Sequence, residues 1–276
     1  MREQSEQANS KFLERAFHTT NLAALRHLPA RALVRAATAT AVPAPPHMGP
    51  VIDGYFLPDS VPSIYAAGRQ AHVPLLAGWN ADEIRAGIAQ AKEAMTADRF
   101  RREAQADFGA DVAAFLALYP AASDSQAVQS AGDFASDRFI AYSTWRWLET
   151  QVRTAGAPVY RYRLDLGAPT DALHPIAAGA FHADDIEYVF GTLDSRPGAV
   201  WRPEDRQLSD LIGTYWTNFA RTSDPNQPPS AGLPPWPIYH ADDGWQVMHL
   251  DAVSAARADD DRSRYLFLDL RWGPKP

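Results

Sequence analysis

The sequence predicts an α/β fold in which mostly parallel strands carry helices on both faces. Residues 73–78 (VPLLAG) form a short apolar run bounded by Pro and Gly, which is typical of a buried parallel strand. Residues 158–164 (PVYRYRL) alternate with a period of two, the clearest strand pattern in the chain. Helical periodicity fills the sequence between the two strands and returns at 204–221, where one face is apolar.

The first 70 residues predict a helical lead-in followed by a stiff connector. An amphipathic helix is expected over 5–19, and a short second helix over 22–28 is capped by Thr20 or Asn21. A third helix over 30–39 starts after Pro29. The lead-in therefore covers 1–40, and a Pro-rich connector covers 41–50, because AVPAPP at 41–46 excludes a helix or central strand. A turn-rich segment at 49–58 and a short helix at 63–68 follow.

The remaining elements lie between and after the two predicted strands. Residues 96–119 predict helix, with Thr96 as the N-cap and Gly109 as a break. A long aromatic-rich helix is expected over 133–153, and short strands over 245–250 and 265–270.

Composition excludes several classes of function. The chain of 276 residues is 46% hydrophobic and 21% charged, as in ordinary globular proteins. Its net charge of -7 comes without a basic patch, which argues against nucleic-acid binding. No run approaches the about 18 apolar residues of a membrane span. The absence of cysteine excludes disulfides and thiolate sites and, with no apolar signal peptide, favours a cytoplasmic location. The 23 Arg against 3 Lys indicate the coding bias of a GC-rich bacterial genome.

Two polar residues follow predicted strands, and both suit acid–base chemistry. Glu83 comes after the first strand, and His182 comes in the loop that follows the second. Open α/β sheets build their sites at the carboxyl ends of strands. An acid followed by a histidine fits the last two members of a Ser, Asp/Glu, His triad in α/β-hydrolase order. From spacing alone, a structural histidine and a glutamate favouring a helix N-terminus remain alternatives.

Several segments, in consistent order, resemble type-B carboxylesterases, the family of para-nitrobenzyl esterases and cholinesterases. They are PVIDG at 50–54, VPLLAGWNADE at 73–83, SDRF at 136–139, AFHADDIEYVFG at 180–191, YWTNFA at 215–220, DPN at 224–226 and LPPWPIY at 233–239. The resemblance implies an α/β-hydrolase fold and hydrolysis of small carboxylic esters through an acyl-serine. It also implies Glu83 as the triad acid, His182 as the triad base, and no metal or organic cofactor.

The sequence departs from the family pattern at one decisive place. No Gly-x-Ser-x-Gly elbow and no consecutive glycines occur, and the nearest imitation, QSAG at 129–132, lacks the leading glycine. Smaller departures are Asp185 in place of a usual Glu, and Glu187 and Ser143 where Pro is common. The resemblance therefore assigns residues 1–276 to the C-terminal portion of one such domain, with 51–276 bearing the acid and histidine. The N-terminal strands and the nucleophile are expected to be absent.

A chain with an acid and a base but no nucleophile predicts negligible ester hydrolysis by itself. Two further hypotheses follow: a catalytically silent binding or adhesion module of esterase ancestry, and one half of a split esterase whose partner segment supplies the serine. Half a sheet also predicts an unpaired strand edge and aggregation.

The other conspicuous residues are assigned structural roles. His72, His174, His240 and His249 lack ligand spacing and are expected at the surface or in packing. The acidic run at 259–261 predicts a solvated turn, with calcium binding as the alternative. Trp216 and Phe219 are expected in the core, with a substrate gorge as the alternative.

Overall fold

The computed structural model describes residues 2–39, 49–89, 91, 93–170, 179–229 and 232–273. The chain divides into two compact units, Met1–Arg69 and Gln70–Pro276. The predicted connector at 41–46 and His174 lie outside the described residues.

The first unit is helical, as predicted. Its helices are α1 (Arg2–Phe17), α2 (Leu22–Arg26), α3 (Ala30–Ala37) and α4 (Val61–Ala66). Asn21 caps α2, because its side-chain oxygen accepts hydrogen bonds from the amides of Ala23 and Ala24. Ser60 caps α4 in the same way through the amide of Ser63, so this helix begins two residues before the predicted one.

The second unit alternates strands and helices. Its elements are β1 (Leu75–Asn80), α5 (Arg85–Ala89), α6 (Ala97–Phe108), α7 (Val112–Leu118), α8 (Asp124–Ser136), α9 (Tyr142–Ala155), β2 (Val159–Leu164), α10 (Asp185–Phe190), α11 (Pro203–Thr222), β3 (Gln246–Leu250), β4 (Ala255–Ala258) and α12 (Arg262–Trp272). A 3-10 turn at Gly109–Asp111 joins α6 to α7, and a π-helical turn at Asp137–Ala141 joins α8 to α9.

The strands of the described residues form one sheet in the order β1-β2-β3-β4. β1, β2 and β3 run parallel, and β4 pairs antiparallel with β3. The register sets Leu75 beside Val159 and Asn80 beside Leu164, so β1 and β2 end together. Both predicted strands are confirmed, and the loops that follow them start from the same edge of the sheet.

Helices cover both faces of this sheet. On one face, Val159 and Val247 pack with Trp145 and Leu148 of α9. On the other, Tyr160, Leu164 and Met248 pack with the apolar face of α11, formed by Leu208, Ile212 and Tyr215. The spacing of four and then three residues puts these α11 side chains on one side of the helix. A mixed α/β architecture with a mostly parallel sheet is therefore confirmed.

One sequence prediction about the last part of the chain is wrong, and another holds only in part. Residues 265–270 form helix α12 rather than a strand, since Tyr265 and Leu268 are buried while Leu270 is 91% exposed. Buried residues three positions apart indicate a helix. The apolar run is too short to show this period in the sequence. The acidic run at 259–261 is not simply a solvated turn, because the Asp259 side chain is buried and paired with buried Arg161.

The helices between β1 and β2 follow the prediction with shifted bounds. Thr96 caps α6 through the amide of Arg99, and Gly109 ends it with a φ of 55°, which favours glycine. The helix predicted from 133 begins earlier, at Asp124, where Ser123 is the cap.

Candidate active site

Glu83 lies in a tight turn between β1 and α5, with only 4% of its side chain exposed. The backbone amide of Asn80, the last residue of β1, donates a hydrogen bond of 2.9 Å to Glu83 Oε1. The next residue, Ile84, is anchored through its amide to Ser136 Oγ at 3.2 Å. The carboxylate is thus buried and fixed by the end of the strand.

The loop that carries His182 is attached to this turn through its backbone. The Ala180 amide donates to Asp82 Oδ2, and the Asp82 amide donates to the Ala180 carbonyl, both at 2.9 Å. The amide of His182 donates to the Glu83 carbonyl at 3.2 Å. Gly179 starts the loop in close packing, because a Cβ there would approach the Phe181 ring to 2.7 Å and would displace it. These contacts bring together two segments that are about a hundred positions apart in sequence.

The two predicted residues meet in a direct hydrogen bond. His182 Nδ1 lies 2.6 Å from Glu83 Oε2. Because a carboxylate only accepts, the contact requires the proton on Nδ1 and leaves Nε2 as the acceptor of a neutral ring. The His182 side chain is 54% exposed, in contrast to the buried glutamate. A histidine with one nitrogen held by a carboxylate can take a proton from an incoming group at the other nitrogen.

Phe139 packs against the histidine from the π-helical turn. Its ring meets the His182 ring edge to face, with centroids 5.0 Å apart and planes at 90°. The turn is anchored by Asp137, whose carboxylate accepts a 2.7 Å hydrogen bond from the Tyr119 hydroxyl. Burial raises the pKa of Asp137 to about 7, against the lowering effect of Tyr119. π-Helical turns are frequent at functional sites, where they re-aim a side chain.

An apolar cavity of about 480 Å³ adjoins the pair. Phe139, which touches His182, and Ile84, which follows Glu83, both line it. The rest of the wall includes aromatic residues of α6, α7 and α8, namely Phe100, Phe108, Phe115 and Phe134. The volume lies within the range of small-molecule sites, about 300–1,000 Å³.

No serine hydroxyl within the described ranges is hydrogen-bonded to the His182 ring. The QSAG segment lies inside α8, where Ser130 is buried and its hydroxyl donates to the Pro120 carbonyl at 2.6 Å. Ser130 is thus a helix residue engaged elsewhere, and not a nucleophile on an exposed elbow.

The described part of the chain offers neither a metal cluster nor a membrane-spanning helix. The His, Asp and Glu side chains there form no group of three or more that could hold a metal ion. No helix in the same part is long and apolar enough to cross a bilayer.

The remaining singled-out residues lie elsewhere. His249 is buried and bonded through Nδ1 to Asp165, so it is a packing histidine as predicted, and His240 is partly exposed. Trp216 and Phe219 pack at the margin of the core, partly buried. Sequence reasoning missed Asn80, Asp82 and Phe139, although each lies within or beside a segment that carries the family resemblance.

A buried carboxylate hydrogen-bonded to a half-exposed imidazole at the carboxyl edge of parallel strands has the geometry expected of the acid and histidine of an α/β-hydrolase. The comparison with known proteins agrees, because residues 2–266 match the profile of the Carboxylesterase family. The chain belongs to this family.

Curated relatives are similar in sequence to parts of the chain. Carboxylesterase 4A of Bos taurus is 35% identical over 118 residues, covering 43% of this chain and 20% of the relative. Bile salt-activated lipase of Homo sapiens is 48% identical over 67 residues, covering 24% and 9%. The Mus musculus bile salt-activated lipase is 29% identical over 215 residues, covering 71% and 35%. The chain thus spans 35% or less of the length of each. All three are mammalian, and a bacterial source stays a prediction.

Proposed function

We propose that this chain supplies the acid and base of a serine carboxylesterase, with Glu83 orienting His182. The observation that carries the proposal is the 2.6 Å contact between Glu83 Oε2 and His182 Nδ1. Family membership over residues 2–266 supports the reaction class, and the half-exposed ring supports access of a reacting group to Nε2. The substrates are small carboxylic esters, and the chemistry requires neither metal nor organic cofactor.

In the proposed reaction, Nε2 of His182 takes the proton of a serine hydroxyl as that oxygen attacks the ester carbonyl. The proton passes to the departing alkoxide, and an acyl-serine remains. A water molecule then gives a proton to Nε2 and attacks the acyl carbon. The bond between the acyl carbon and the serine oxygen breaks, Nε2 returns the proton to that oxygen, and the carboxylic acid leaves. Throughout, Glu83 fixes the tautomer of His182 and stabilises the imidazolium that forms.

The serine and the oxyanion donors come from a segment outside residues 1–276. β1 is at the edge of the sheet formed by the described residues, and the turn that carries Glu83 follows β1 directly. A further strand parallel to β1 and beside it would therefore end close to the pair, at the edge where α/β folds build their sites.

The chain by itself is expected to hydrolyse esters negligibly, because the covalent route is absent. The test joins or co-expresses it with a family segment that contains the Gly-x-Ser-x-Gly elbow and follows labelling by a fluorophosphonate. Labelling and para-nitrophenyl acetate turnover should appear only in the combination. His182→Ala should reduce turnover by about 10³-fold or more.

His240→Ala is the matched control, since His240 is partly exposed and its ring contacts Asp242 and Trp245 rather than Glu83. Turnover by the chain alone that disappears in His182→Ala would contradict the need for an external nucleophile. Equal loss in both variants would contradict the role of His182.

The absence of any Gly-x-Ser-x-Gly in the sequence supports a second candidate, a silent binding module of esterase ancestry. The preserved hydrogen bond between Glu83 and His182 argues against it, since binding alone requires no oriented base. Combination with the elbow segment separates the two, because a silent module stays unlabelled. The placement of residues 1–276 in one domain and a cytoplasmic location stay predictions.

A further inference from the structure

We propose that Asn80 is a positioning residue that holds the acid and the base of the site at the same time. This inference rests on the proposed function of Glu83 and His182. Asn80 is the last residue of β1 and is only 2% exposed. Asn80 lies where β1 and β2 end together. It is therefore between the turn that carries Glu83 (the acid turn) and the loop that carries His182 (the histidine loop).

The backbone and the side chain of Asn80 serve different partners. Its backbone amide donates to Glu83 Oε1 at 2.9 Å, which leaves Oε2 for His182. Its side-chain Nδ2 donates to the carbonyl oxygen of Phe181 at 2.7 Å and to Asp185 Oδ1 at 3.3 Å. Phe181 directly precedes His182, and Asp185 begins α10 directly after the loop. One residue thus restrains the acid and both ends of the histidine segment.

The orientation of the Asn80 amide is determined by its partners. The Phe181 carbonyl and the Asp185 carboxylate are both acceptors, so the amide must present its NH₂ group to them. The other side-chain atom, Oδ1, is buried without a hydrogen-bond partner in the described part of the chain. Asn80 thus leaves a buried acceptor unpaired while both donor contacts of its NH₂ group face the histidine segment.

The histidine loop needs such an external restraint. Ala183, directly after His182, has a φ of 71°, a left-handed conformation that alanine adopts only when its surroundings impose it. Asp82 fixes the loop two residues before His182 through Ala180, whereas Asn80 fixes the peptide that joins Phe181 to His182. Asn80 and the Glu83 carbonyl, which accepts from the His182 amide, thus hold the two sides of the peptide directly before the imidazole.

The test measures the ring nitrogens of His182 by ¹⁵N NMR in the full chain at a pH where the ring is neutral. In the wild type, the proton is expected on Nδ1. In Asn80→Ala the backbone donor to Glu83 remains, but the loop is released, and the Nε2-protonated tautomer should rise to a population comparable with the Nδ1 form. Asn218→Ala is the matched control, because Asn218 is also buried and its Nδ2 also donates to a loop carbonyl, that of Pro225, at 3.0 Å.

A second readout uses the enzyme completed with the elbow segment. There, Asn80→Ala should lower kcat on the order of 10-fold to 100-fold with little change in KM, since a misdirected base slows chemistry but not binding. Asn218→Ala should retain wild-type kcat at temperatures where it is folded. If Asn80→Ala does not fold, Asn80→Ser, which keeps a small polar group, replaces it in both measurements.

Glu83→Gln separates the possible failures. If Glu83→Gln leaves the His182 tautomer unchanged, the acid–base pair of the proposed function is contradicted. If Glu83→Gln changes the tautomer but a folded Asn80 variant does not, only the positioning role of Asn80 is overturned. An equal tautomer change in Asn218→Ala would also overturn it, because the effect would then follow from general loosening.

Discussion

Two carboxylate–imidazole pairs among the described residues have nearly equal geometry and unequal surroundings. In one, Glu83 contacts His182 Nδ1 at 2.6 Å, and in the other, Asp165 contacts His249 Nδ1 at 2.5 Å. The His182 side chain is 54% exposed, whereas that of His249 is 5% exposed and its Nε2 is buried without a partner in the described residues. The hydrogen bond alone therefore does not identify a base.

The difference lies in what surrounds each ring. Asp165 also accepts a 2.6 Å hydrogen bond from Arg163, which in turn pairs with Asp261, so this pair belongs to a partly buried ionic network. His182 stands at the end of a loop beside an aromatic ring and an open cavity. The Asp165–His249 pair joins β3 to the residue that follows β2. The Glu83–His182 pair presents Nε2 of His182 outward.

The largest expected contrast is chemical accessibility. Diethylpyrocarbonate should modify His182 in the folded chain and leave His249 unmodified, since reagent must reach a neutral ring nitrogen. Peptide mapping by mass spectrometry measures both sites, with the exposed His240 as the positive control. If His249 is modified as fast as His182 while the chain is still folded, the two rings do not differ in accessibility, and the comparison fails.

The Asp165–His249 pair should contribute more to the free energy of unfolding than the Glu83–His182 pair. Asp165→Ala leaves the buried His249 without its partner and removes one of the two carboxylates that pair with Arg163, so it should lower the free energy of unfolding by about 3 kcal/mol. Glu83→Ala leaves a histidine that water can reach and should cost about 1 kcal/mol. Urea denaturation of both variants measures the difference, and a larger loss for Glu83→Ala would contradict it.

The Asp165 pair should also contribute a specific acid sensitivity. Although burial alone would raise it, the hydrogen bonds and charges of His249 and Arg163 hold the pKa of Asp165 below its ordinary value. A folded pKa below the unfolded one stabilises the protein above the ordinary Asp pKa, and this contribution is lost as the pH falls through the folded pKa.

Asp165→Asn removes this titration. The free-energy difference between wild type and Asp165→Asn should therefore shrink as the pH is lowered from about 6 to about 3. Urea unfolding at the two pH values measures it, and a constant difference would show that Asp165 does not carry the effect.

The smallest effect concerns Phe139. Phe139→Ala removes an edge-to-face contact with His182, a type of pair worth about 0.5–1.5 kcal/mol. The ring of His182 should become more mobile while the proton stays on Nδ1, hydrogen-bonded to Glu83, as ¹⁵N NMR would show. Loss of that proton signal would mean that the aromatic contact, and not the carboxylate, orients the ring.

Much of the fold follows from local patterns. The runs at 73–78 and 158–164 predict β1 and β2, and the period of 3.6 predicts α11, because these signals depend on neighbouring residues only. The run at 265–270 misleads because a short apolar stretch has no distinctive period. β4 is missed because its four residues, AARA, carry no strand signal and form a strand only by pairing with β3.

By itself, the sequence determined the carboxylesterase resemblance, the choice of Glu83 and His182 and the absence of an elbow serine. Only the tertiary structure decided which of the carboxylate–histidine pairs points outward and that Asn80 links the acid turn to the histidine loop. Both depend on contacts between residues 84 to 101 positions apart. The parallel register of β1 and β2 creates the contact around Asn80, because it brings the ends of two distant segments to the same edge of the sheet.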